Sequence, residues 1–395
     1  KEYLGSFFCS DDTVNRVWDA SAYTLYLNNN KYITDGIKRD RLVWIGDMHP
    51  ETISVLRLFG NDPSIRRSLD YIRNETELPG WMNGIPSYSM WWCKIQRDLY
   101  WYTGNEEYLA KQLPYIRELC KLIVGCVKED GTFDIDYKFI DWPSSTQPSA
   151  QALGIRSLLA VSLRSCLEIF HVFHDDSFDR TVEKAIKALS SHPLEKTANK
   201  QSVALAVFAD LFPAKQAEEE ILSKKPLSDL STFLCYYVMQ ARAKAGAMDG
   251  ALDIIRKYYG AMLELGATTM WEDFNLEWAK NAKPLDALLE ENEYDVHGDN
   301  GGYCYKGYRH SLCHGWAAGT VSFATEYILG IKVADVGCRE IIISPDLGDL
   351  QWAEGTFPTP YGNVEVRAEK RNEQTDVRYK APEQIKVTIK KSEDK

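Results

Sequence analysis

The chain has 395 residues, which is enough to bury one large core and a smaller second domain. Hydrophobic residues make up 45% and charged residues 26% of it, as in ordinary globular proteins, whereas aromatic residues reach 12%. The formal net charge of −11 argues against nucleic acid as a partner, and no apolar run is long enough to span a bilayer.

Up to about residue 330 the sequence predicts a mainly α-helical domain, because apolar residues recur every three to four positions. The predicted helices cover residues 14–27, 51–59, 64–72, 108–127, 152–173, 178–189, 202–211, 230–241, 251–265 and 316–329. Turn sequences rich in Gly, Asn and Asp separate helices at irregular spacing, which excludes a short solenoid repeat. We therefore predict helical hairpins closed into a toroid, with the loops collected at one end.

The first chemically informative segment is a loop at residues 35–47, in which carboxylates and arginines surround one tryptophan. Its thirteen positions hold Asp35, Arg39, Asp40, Arg41, Trp44 and Asp47. A glycoside hydrolase requires an acid and a base across the scissile bond, with an aromatic wall for the sugar. The alternative is that Asp47 or His49 only caps the helix that begins near Pro50.

Aromatic residues crowd the segment from residue 81 to residue 102, which we expect to form loops. They are Trp81, Tyr88, Trp91, Trp92, Trp101 and Tyr102. Rings in loops can stack on carbohydrate, whereas buried rings would simply fill the core. We include Trp92 among the candidate substrate-binding residues.

Three further sites follow along the chain. Asp141 and Trp142 form another acid–tryptophan pair, although a turn beside a core tryptophan would have the same sequence. Glu272 follows Trp271 directly and is expected to point into a cleft, with an ordinary surface loop as the alternative. His314 precedes a helix, where packed or capping histidines are common.

After Gly330 the pattern changes to short strands. Residues 340–343, 362–368 and 384–389 read as strands, the last two with clear alternation, and Pro or Gly turns separate them. We predict a small antiparallel β-domain packed on the helical one. We therefore predict a helical domain over residues 1–330 and a β-domain over residues 331–395.

No Gly-rich phosphate loop, Ser/His/Asp signature or HExxH zinc motif occurs, so we expect neither a cofactor nor a metal ion. The nine cysteines lack metal-ligand spacing and are expected to be free core thiols. The chain begins at Lys1 without an initiator Met, so we expect an excised piece whose compartment stays open.

Together these motifs resemble the α-L-rhamnosidases of glycoside hydrolase family 78 over nearly the whole chain. The resemblance rests on residues 35–47, 266–272, 311–314 and 343–362. It implies an (α/α)6 barrel, or six-hairpin toroid, with a small C-terminal antiparallel β-sandwich. It also implies inverting hydrolysis of terminal α-L-rhamnosyl residues in a glycan or glycoside, with β-domains upstream in the same polypeptide.

The resemblance also implies roles for individual residues, with Asp40 as general acid and Glu272 as general base. Positions that hold the sugar hydroxyls or line the rhamnose pocket fall on Asp35, Trp44, Asp47, Asp141, Trp142 and His314. Arg39 and Trp271, beside the two carboxylates in sequence, complete the candidate set. The family more often has Glu at the acid position, so Asp47 stays open as the acid. Another sugar, or a non-catalytic glycan-binding protein, stays open as the function.

An inverting mechanism makes one spatial demand on the fold. The two carboxyl groups must lie about 6.5–9.5 Å apart, so that water fits between the base and the sugar. We therefore expect Asp40 and Glu272 to face one cavity, with Asp40 buried against Trp44. We also expect that at least one of Arg39 and Arg41 turns away from the carboxylates.

Overall fold

The computed structural model describes residues 1–296, 309–372 and 374–390. Its α-helices are α1 (Asp12–Asn28), α2 (Met48–Phe59), α3 (Pro63–Asn74), α4 (Pro86–Thr103), α5 (Glu106–Gly125), α6 (Pro148–Val172), α7 (Asp179–Ser191), α8 (Lys200–Phe208), α9 (Ala214–Ala217), α10 (Cys235–Lys244), α11 (Met248–Asp253), α12 (Gly260–Glu264), α13 (Leu276–Ala279) and α14 (Thr320–Phe323). Short 3-10 helices lie at Met82–Gly84, Gly315–Ala318 and Val336–Cys338, and π-helical turns at Glu218–Leu222, Ile254–Tyr259 and Ala324–Ile328.

Six helices form the inner wall of a closed barrel. They are α2, α4, α6, α8, α10 and α14, each packed on the next, and α14 closes the ring on α2. An inner helix is surrounded on all sides, and every residue of α2 except Arg57 is buried. The outer helix α7 instead buries only Val182, Ala185 and Leu189, the spacing of an amphipathic helix. The six-hairpin toroid predicted from the sequence is confirmed.

The aromatic segment expected to form loops is helical instead, because α4 covers Pro86–Thr103. Tyr88, Trp91 and Trp92 are buried within it. The first eight residues of α4, Pro86–Cys93, are all buried, so this half of the helix shows no 3.6-residue alternation of polar and apolar positions from which it could be predicted. The expectation of loops is wrong for the five aromatic residues from Tyr88 to Tyr102, whereas Trp81 does lie in a loop.

Other helices also differ from their predicted bounds; the helix predicted over residues 251–265, for example, is divided into α11, a π-helical turn and α12. α10 begins at Cys235 rather than at residue 230, and the turn before it holds Thr232, whose Oγ1 donates to the Glu272 carbonyl oxygen at 2.6 Å. The helix predicted over residues 316–329 is divided into 3-10, α and π turns.

Within the described residues, seven strands form two sheets, six of the strands from the C-terminal part of the chain and one from its start. The first sheet contains β1 (Ser6–Cys9), β4 (Trp352–Thr359), β5 (Gly362–Arg371) and β6 (Gln374–Lys380), and the second contains β2 (Ile331–Val333), β3 (Glu340–Ile343) and β7 (Lys386–Ile389). One pairing, between β3 and β7, is parallel. Strand β1 comes from the start of the chain, with Ser6 opposite Thr356, so it joins the sheet rather than the helical domain to which the sequence analysis assigned it.

The sheets pack against the end of the barrel at which the inner helices terminate. Tyr102, near the end of α4, donates its hydroxyl to the Pro358 carbonyl oxygen at 2.6 Å. The Gly5 N–H donates to the Leu58 carbonyl oxygen, near the end of α2, at 3.0 Å. The loops that precede the inner helices are therefore left at the opposite end.

Among the described residues, no helix combines the length and apolar character needed to cross a membrane. The eight cysteines in the described ranges are free thiols, seven of them buried. Cys304 lies outside the described residues.

Candidate active site

A cavity of about 310 Å³ lies at the end of the barrel where the inner helices begin. It is lined by Asp35, Arg39, Asp40, Trp44, Asp47, Asn83, Gly84, Ile85, Tyr88, Tyr137, Phe139, Trp142, Glu272, His314 and Trp316. Eight of the eleven residues chosen from the sequence belong to this lining. The volume suits a pocket that encloses one small ligand.

The loop between α1 and α2 is closed on itself and tied to a distant loop. The Asp35 N–H donates to the Leu42 carbonyl oxygen at 3.1 Å, and the Leu42 N–H donates to Asp35 Oδ1 at 2.8 Å. Gly36 forms an isolated β-bridge with His314. A Cβ at Gly36 would lie 2.8 Å from Ser311 Oγ, so only glycine allows the two loops to approach this closely.

Asp40 lies on the cavity lining in a left-handed turn, with φ of 57° at Asp40 and 54° at Arg41. Its side chain is 32% exposed, so the expected burial against Trp44 is not found. Arg41 is exposed and outside the lining, which makes it the arginine that turns away. Arg39 instead remains beside the carboxyl groups of the cavity. Its Nε lies 3.8 Å from Asp40 Oδ1, and its Nη2 donates to Glu272 Oε1.

Glu272 is buried and held through both its backbone and its carboxylate. Its N–H donates to the Ser311 carbonyl oxygen at 2.9 Å, and its own carbonyl oxygen accepts from Trp316 Nε1 at 2.7 Å. Glu272 Oε2 accepts from the Ser311 N–H at 3.3 Å, while Arg39 donates to Oε1. These donors orient the carboxylate and favour its ionised form.

Asp47 occupies the N-cap position of α2, yet its side chain does not cap the helix. Asp47 Oδ1 accepts from the Tyr88 hydroxyl at 2.8 Å, and Oδ2 lies 3.4 Å from His314 Nε2. The alternative of a simple cap is therefore wrong for Asp47. His49 does not cap either, because its two ring nitrogens contact the Tyr237 hydroxyl and Asp98.

A further carboxyl group, from Glu51, lies one turn beyond Asp47 in α2 and was not singled out from the sequence. It is buried, and neither of its oxygens has a hydrogen-bond partner among the described residues. A Cβ at Gly315 would lie 1.5 Å from Glu51 Oε1. Glycine at 315 therefore makes the room that this carboxyl occupies, a pairing that the sequence alone does not reveal.

Burial raises the pKa values of several carboxyl groups around the cavity. It raises the pKa of Asp35 to about 7, with His314 opposing the shift and Asp47 adding to it. It also raises the pKa of Asp47 to about 7, against the hydrogen bond from Tyr88. Burial raises the pKa of Glu51 well above its ordinary value, and the charges of Asp47 and Asp35 add to the rise. Several of these groups therefore hold protons near neutral pH.

Burial also shifts the pKa values of Glu272, the candidate base, and of the nearby His314. Burial raises the pKa of Glu272, whereas His314, Arg39 and the Ser311 N–H oppose the rise. Burial lowers the pKa of His314, with Glu272 and Asp35 acting against that change. The imidazole is therefore mainly neutral at neutral pH, and Arg39 supplies the fixed positive charge of the cavity.

Aromatic rings form the remaining walls. Trp44 stands edge-on to Tyr88 with ring centroids 6.1 Å apart, and Trp142 stands edge-on to Phe139 at 5.1 Å. Tyr137 stacks on Phe139 at 6.1 Å. The sequence analysis missed Tyr137 and Phe139, although their alternation just before the Asp141–Trp142 pair was a usable signal.

Three candidate residues lie outside the cavity lining. Trp92 is fully buried, and its Nε1 donates to the Leu69 carbonyl oxygen at 3.2 Å. Trp271 is also buried. Asp141 Oδ1 accepts from the Ser144 N–H at 2.9 Å and so stabilises the turn before α6. None of these three residues belongs to the cavity lining, so their expected substrate contacts stay a prediction.

The arrangement brings an accessible carboxyl, a buried carboxylate and a fixed guanidinium into one aromatic-walled cavity. Such a set can protonate a leaving oxygen from one side and take a proton from water on the other. Among the described residues, no group of three or more His, Cys, Asp and Glu side chains could hold a metal ion.

Comparison with known families gives two matches that together span most of the chain. Residues 2–328 match the bacterial alpha-L-rhamnosidase 6 hairpin glycosidase domain, and residues 330–393 match the bacterial alpha-L-rhamnosidase C-terminal domain.

Individual relatives agree with these matches. An alpha-L-rhamnosidase of Alteromonas sp. (strain LOR) is 32% identical over 180 residues, which cover 41% of this chain and 17% of that protein. The GH78 family rhamnosidase of Bacillus sp. GL1 has a TM-score of 0.79 at 24% identity, covering 99% of this chain and 43% of the other. The Streptomyces avermitilis alpha-L-rhamnosidase complexed with L-rhamnose has a TM-score of 0.78 at 15% identity, and the match covers 98% of this chain and 38% of that one. The chain thus spans less than half the length of each of these relatives.

Proposed function

Because the chain belongs to the bacterial α-L-rhamnosidase family of six-hairpin glycosidases, as its motifs predicted, we propose that it hydrolyses terminal α-L-rhamnosyl residues of a glycan or glycoside. The family match over residues 2–328 supports the reaction class. The sugar is supported by the similarity to the alpha-L-rhamnosidase of Alteromonas sp. (strain LOR). The polar and aromatic cavity has room for one sugar ring of this size.

In the proposed mechanism Asp40 is the general acid and Glu272 the general base. Asp40, the more exposed of the two, donates its proton to the glycosidic oxygen as the bond to the anomeric carbon breaks. Glu272, ionised beside Arg39 and the Ser311 N–H, takes a proton from the water that attacks the opposite face. One proton enters and one leaves, so the hydrolysis balances with water as the only co-reactant.

The remaining lining residues hold the sugar in this account. Asp35 and Asp47 offer oxygens to its hydroxyl groups, while Trp44 and Trp142 cover its apolar faces. Because burial raises the pKa of both Asp35 and Asp47 to about 7, each can also donate a proton to a sugar oxygen. That property keeps Asp47 as the alternative acid.

A single observation carries the proposal: the Arg39 guanidinium contacts the carboxyl groups of Asp40 and Glu272, which come from opposite parts of the chain. The test is a panel of 4-nitrophenyl glycosides with the purified chain. We expect release of nitrophenol from the α-L-rhamnopyranoside and not from the β-D-glucopyranoside or the α-L-arabinofuranoside. Release of nitrophenol from only one of the other two glycosides would assign that sugar as the substrate instead. Sugar binding without release of nitrophenol from any glycoside would indicate a non-catalytic protein.

A further inference from the structure

A second cavity, of about 350 Å³, lies inside the barrel at the end opposite to the candidate active site. Its walls come from the last turns of the inner helices, such as Arg57 of α2, Tyr102 of α4 and Lys244 of α10, and from strand β2. The active-site cavity is instead built at the starts of the same helices. The two cavities therefore open at different ends of the barrel.

A layer of stacked rings separates the two cavities. His49, two residues beyond Asp47, stacks on Trp91 with centroids 4.9 Å apart and on Tyr237 at 5.9 Å. His49 also contacts Asp98 through Nε2 at 3.0 Å, on the side of the second cavity. This layer makes the second cavity a separate site.

The lining of the second cavity is strongly cationic in a chain whose net charge is −11. Five cationic residues contribute to it, against the two carboxylates of Asp98 and Glu326. The cationic residues are Arg57, Lys94, Arg97, Lys244 and Lys332. Positive charge collected in a concave, partly enclosed site raises the local concentration of anions.

The two carboxylates are already engaged by the wall itself. Asp98 accepts from Lys94 and lies 3.3 Å from Arg97 Nη1, while Glu326 accepts from Arg57 and from the Tyr236 hydroxyl at 2.8 Å. Lys244 at the end of α10 forms no hydrogen bond or ion pair with any residue in the described ranges. Within the lining, five cations therefore face two carboxylates, while Glu168 outside it pairs with Arg97.

Aromatic rings help to position two of these cations, and Arg97 in addition donates to Glu168 Oε2, outside the lining, at 2.5 Å. The Arg97 guanidinium lies 3.8 Å from the centre of the Trp101 ring, and Lys94 Nζ lies 5.6 Å from the centre of the Phe208 ring. Such contacts fix the position of a cation while its charge is retained. A cation that is already positioned loses less entropy when an anion binds to it.

We propose that this second cavity binds a small oxyanion, namely the phosphate or carboxylate group of a metabolite or sugar, through Lys94, Arg97 and Lys244. Ammonium and guanidinium groups form their strongest hydrogen bonds with phosphate and carboxylate oxygens. The volume accommodates one monosaccharide-sized ligand. The site does not depend on the proposed hydrolysis, because none of its lining residues lines the active-site cavity.

The test is isothermal titration calorimetry of the full chain with inorganic phosphate and, separately, with D-glucuronate, at constant ionic strength set with chloride. We expect saturable binding of at least one anion. Binding of phosphate alone would identify a phosphoryl ligand, and binding of glucuronate alone a carboxylated sugar. Lys244→Gln and Lys94→Gln should each raise the Kd about tenfold, the loss of one charge-assisted hydrogen bond.

Lys111→Gln is the matched control, because Lys111 lies on the outer helix α5 in a surface pair with Glu107. It should leave the Kd unchanged. Lys244→Gln removes no hydrogen bond or ion pair within the described ranges, only weaker electrostatic interactions with Asp210 and Glu326. Its melting temperature should therefore stay close to that of the wild type, and a binding loss cannot be ascribed to unfolding. If neither anion binds saturably, or if Lys244→Gln and Lys94→Gln both bind as tightly as Lys111→Gln, the proposal is overturned.

Discussion

Arg39 donates a hydrogen bond to the carboxylate of Glu272, 233 positions further along the chain. The same guanidinium lies 3.8 Å from Asp40. A positive charge between two carboxyl groups offsets their mutual repulsion, which allows both to occupy one small cavity. Arg39 thus links the loop before α2 to the loop that carries Glu272, and the proposed chemistry depends on this link.

Replacing the proposed base tests its role most simply. Glu272→Gln keeps the shape of the side chain and can still accept a hydrogen bond from Arg39, but it cannot take a proton from water. We expect kcat on 4-nitrophenyl α-L-rhamnopyranoside to fall about 10²–10⁴-fold with the fold intact. Glu277→Gln, in the exposed helix α13, is the control and should keep full activity. Near-wild-type turnover by a folded Glu272→Gln would exclude Glu272 as the base.

The choice between Asp40 and Asp47 as the acid can be made with two leaving groups. A substrate whose leaving group needs no protonation, such as a 2,4-dinitrophenyl glycoside, reacts well without a general acid. We expect Asp40→Asn to lose far more activity on a poor leaving group than on this one. Asp47→Asn should lose similar activity on both, because in our account it only holds the sugar. The reverse pattern would assign the acid to Asp47.

The stability of the fold should depend on pH through Asp47. Its pKa is raised by burial from 3.8 to about 7 in the folded state, so only the folded chain holds this proton between those values. The stabilisation is complete below about pH 4 and is lost as the pH rises toward 7. One such group changes the free energy of unfolding by at most about 1.4 kcal/mol per pH unit.

This dependence is measured by urea unfolding at several pH values between 4.5 and 7.5. Asp47→Asn keeps an acceptor for Tyr88 and should lose less stability over that range than the wild type. His314, whose pKa is lowered by burial, acts in the opposite direction in both proteins. Their difference therefore reports Asp47 together with the effect of its charge on Asp35 and Glu51. Asp253→Asn on the surface of α11 should follow the wild type. Identical slopes for wild type and Asp47→Asn would contradict the raised pKa.

The close approach of Glu51 to Gly315 predicts a steric requirement. Gly315→Ala would place Cβ 1.5 Å from Glu51 Oε1, and we expect it to lower the free energy of unfolding by about 1–3 kcal/mol. Shortening the opposing side chain in the double variant Glu51→Ala/Gly315→Ala should restore part of that loss. Gly125→Ala is the control, because a Cβ there has nothing within 4 Å. Equal unfolding midpoints for Gly315→Ala and Gly125→Ala in denaturant would refute the requirement.

The helical toroid was predictable because its outer helices are amphipathic and are separated by turn sequences. The first half of the inner helix α4 was not, because burial on all sides removes the period that marks a helix. Strand β1 was missed because four residues carry little pattern, and its pairing with β4 depends on a partner at the other end of the chain. Local sequence contains no information about such a contact.

The polar part of the candidate site was predictable because charged residues beside a tryptophan in a loop are unusual without a function. The direction in which each tryptophan points was not predictable: the sequence analysis chose both Trp92 and Trp142 as candidates, yet one packs into the core and the other lines the cavity. Glu51 could not be identified as a site residue from the sequence, because it belongs to an ordinary helical pattern. Its environment depends on Gly315, which only the folded chain brings next to it.

The central claim is that Asp40 and Glu272 act from opposite sides of the sugar with a water molecule as the nucleophile. Proton NMR of the reaction with 4-nitrophenyl α-L-rhamnopyranoside tests it directly, because the first anomer released is seen before mutarotation. The account predicts that β-L-rhamnose appears first and the α-anomer only later. Initial release of α-L-rhamnose would mean net retention and would contradict it.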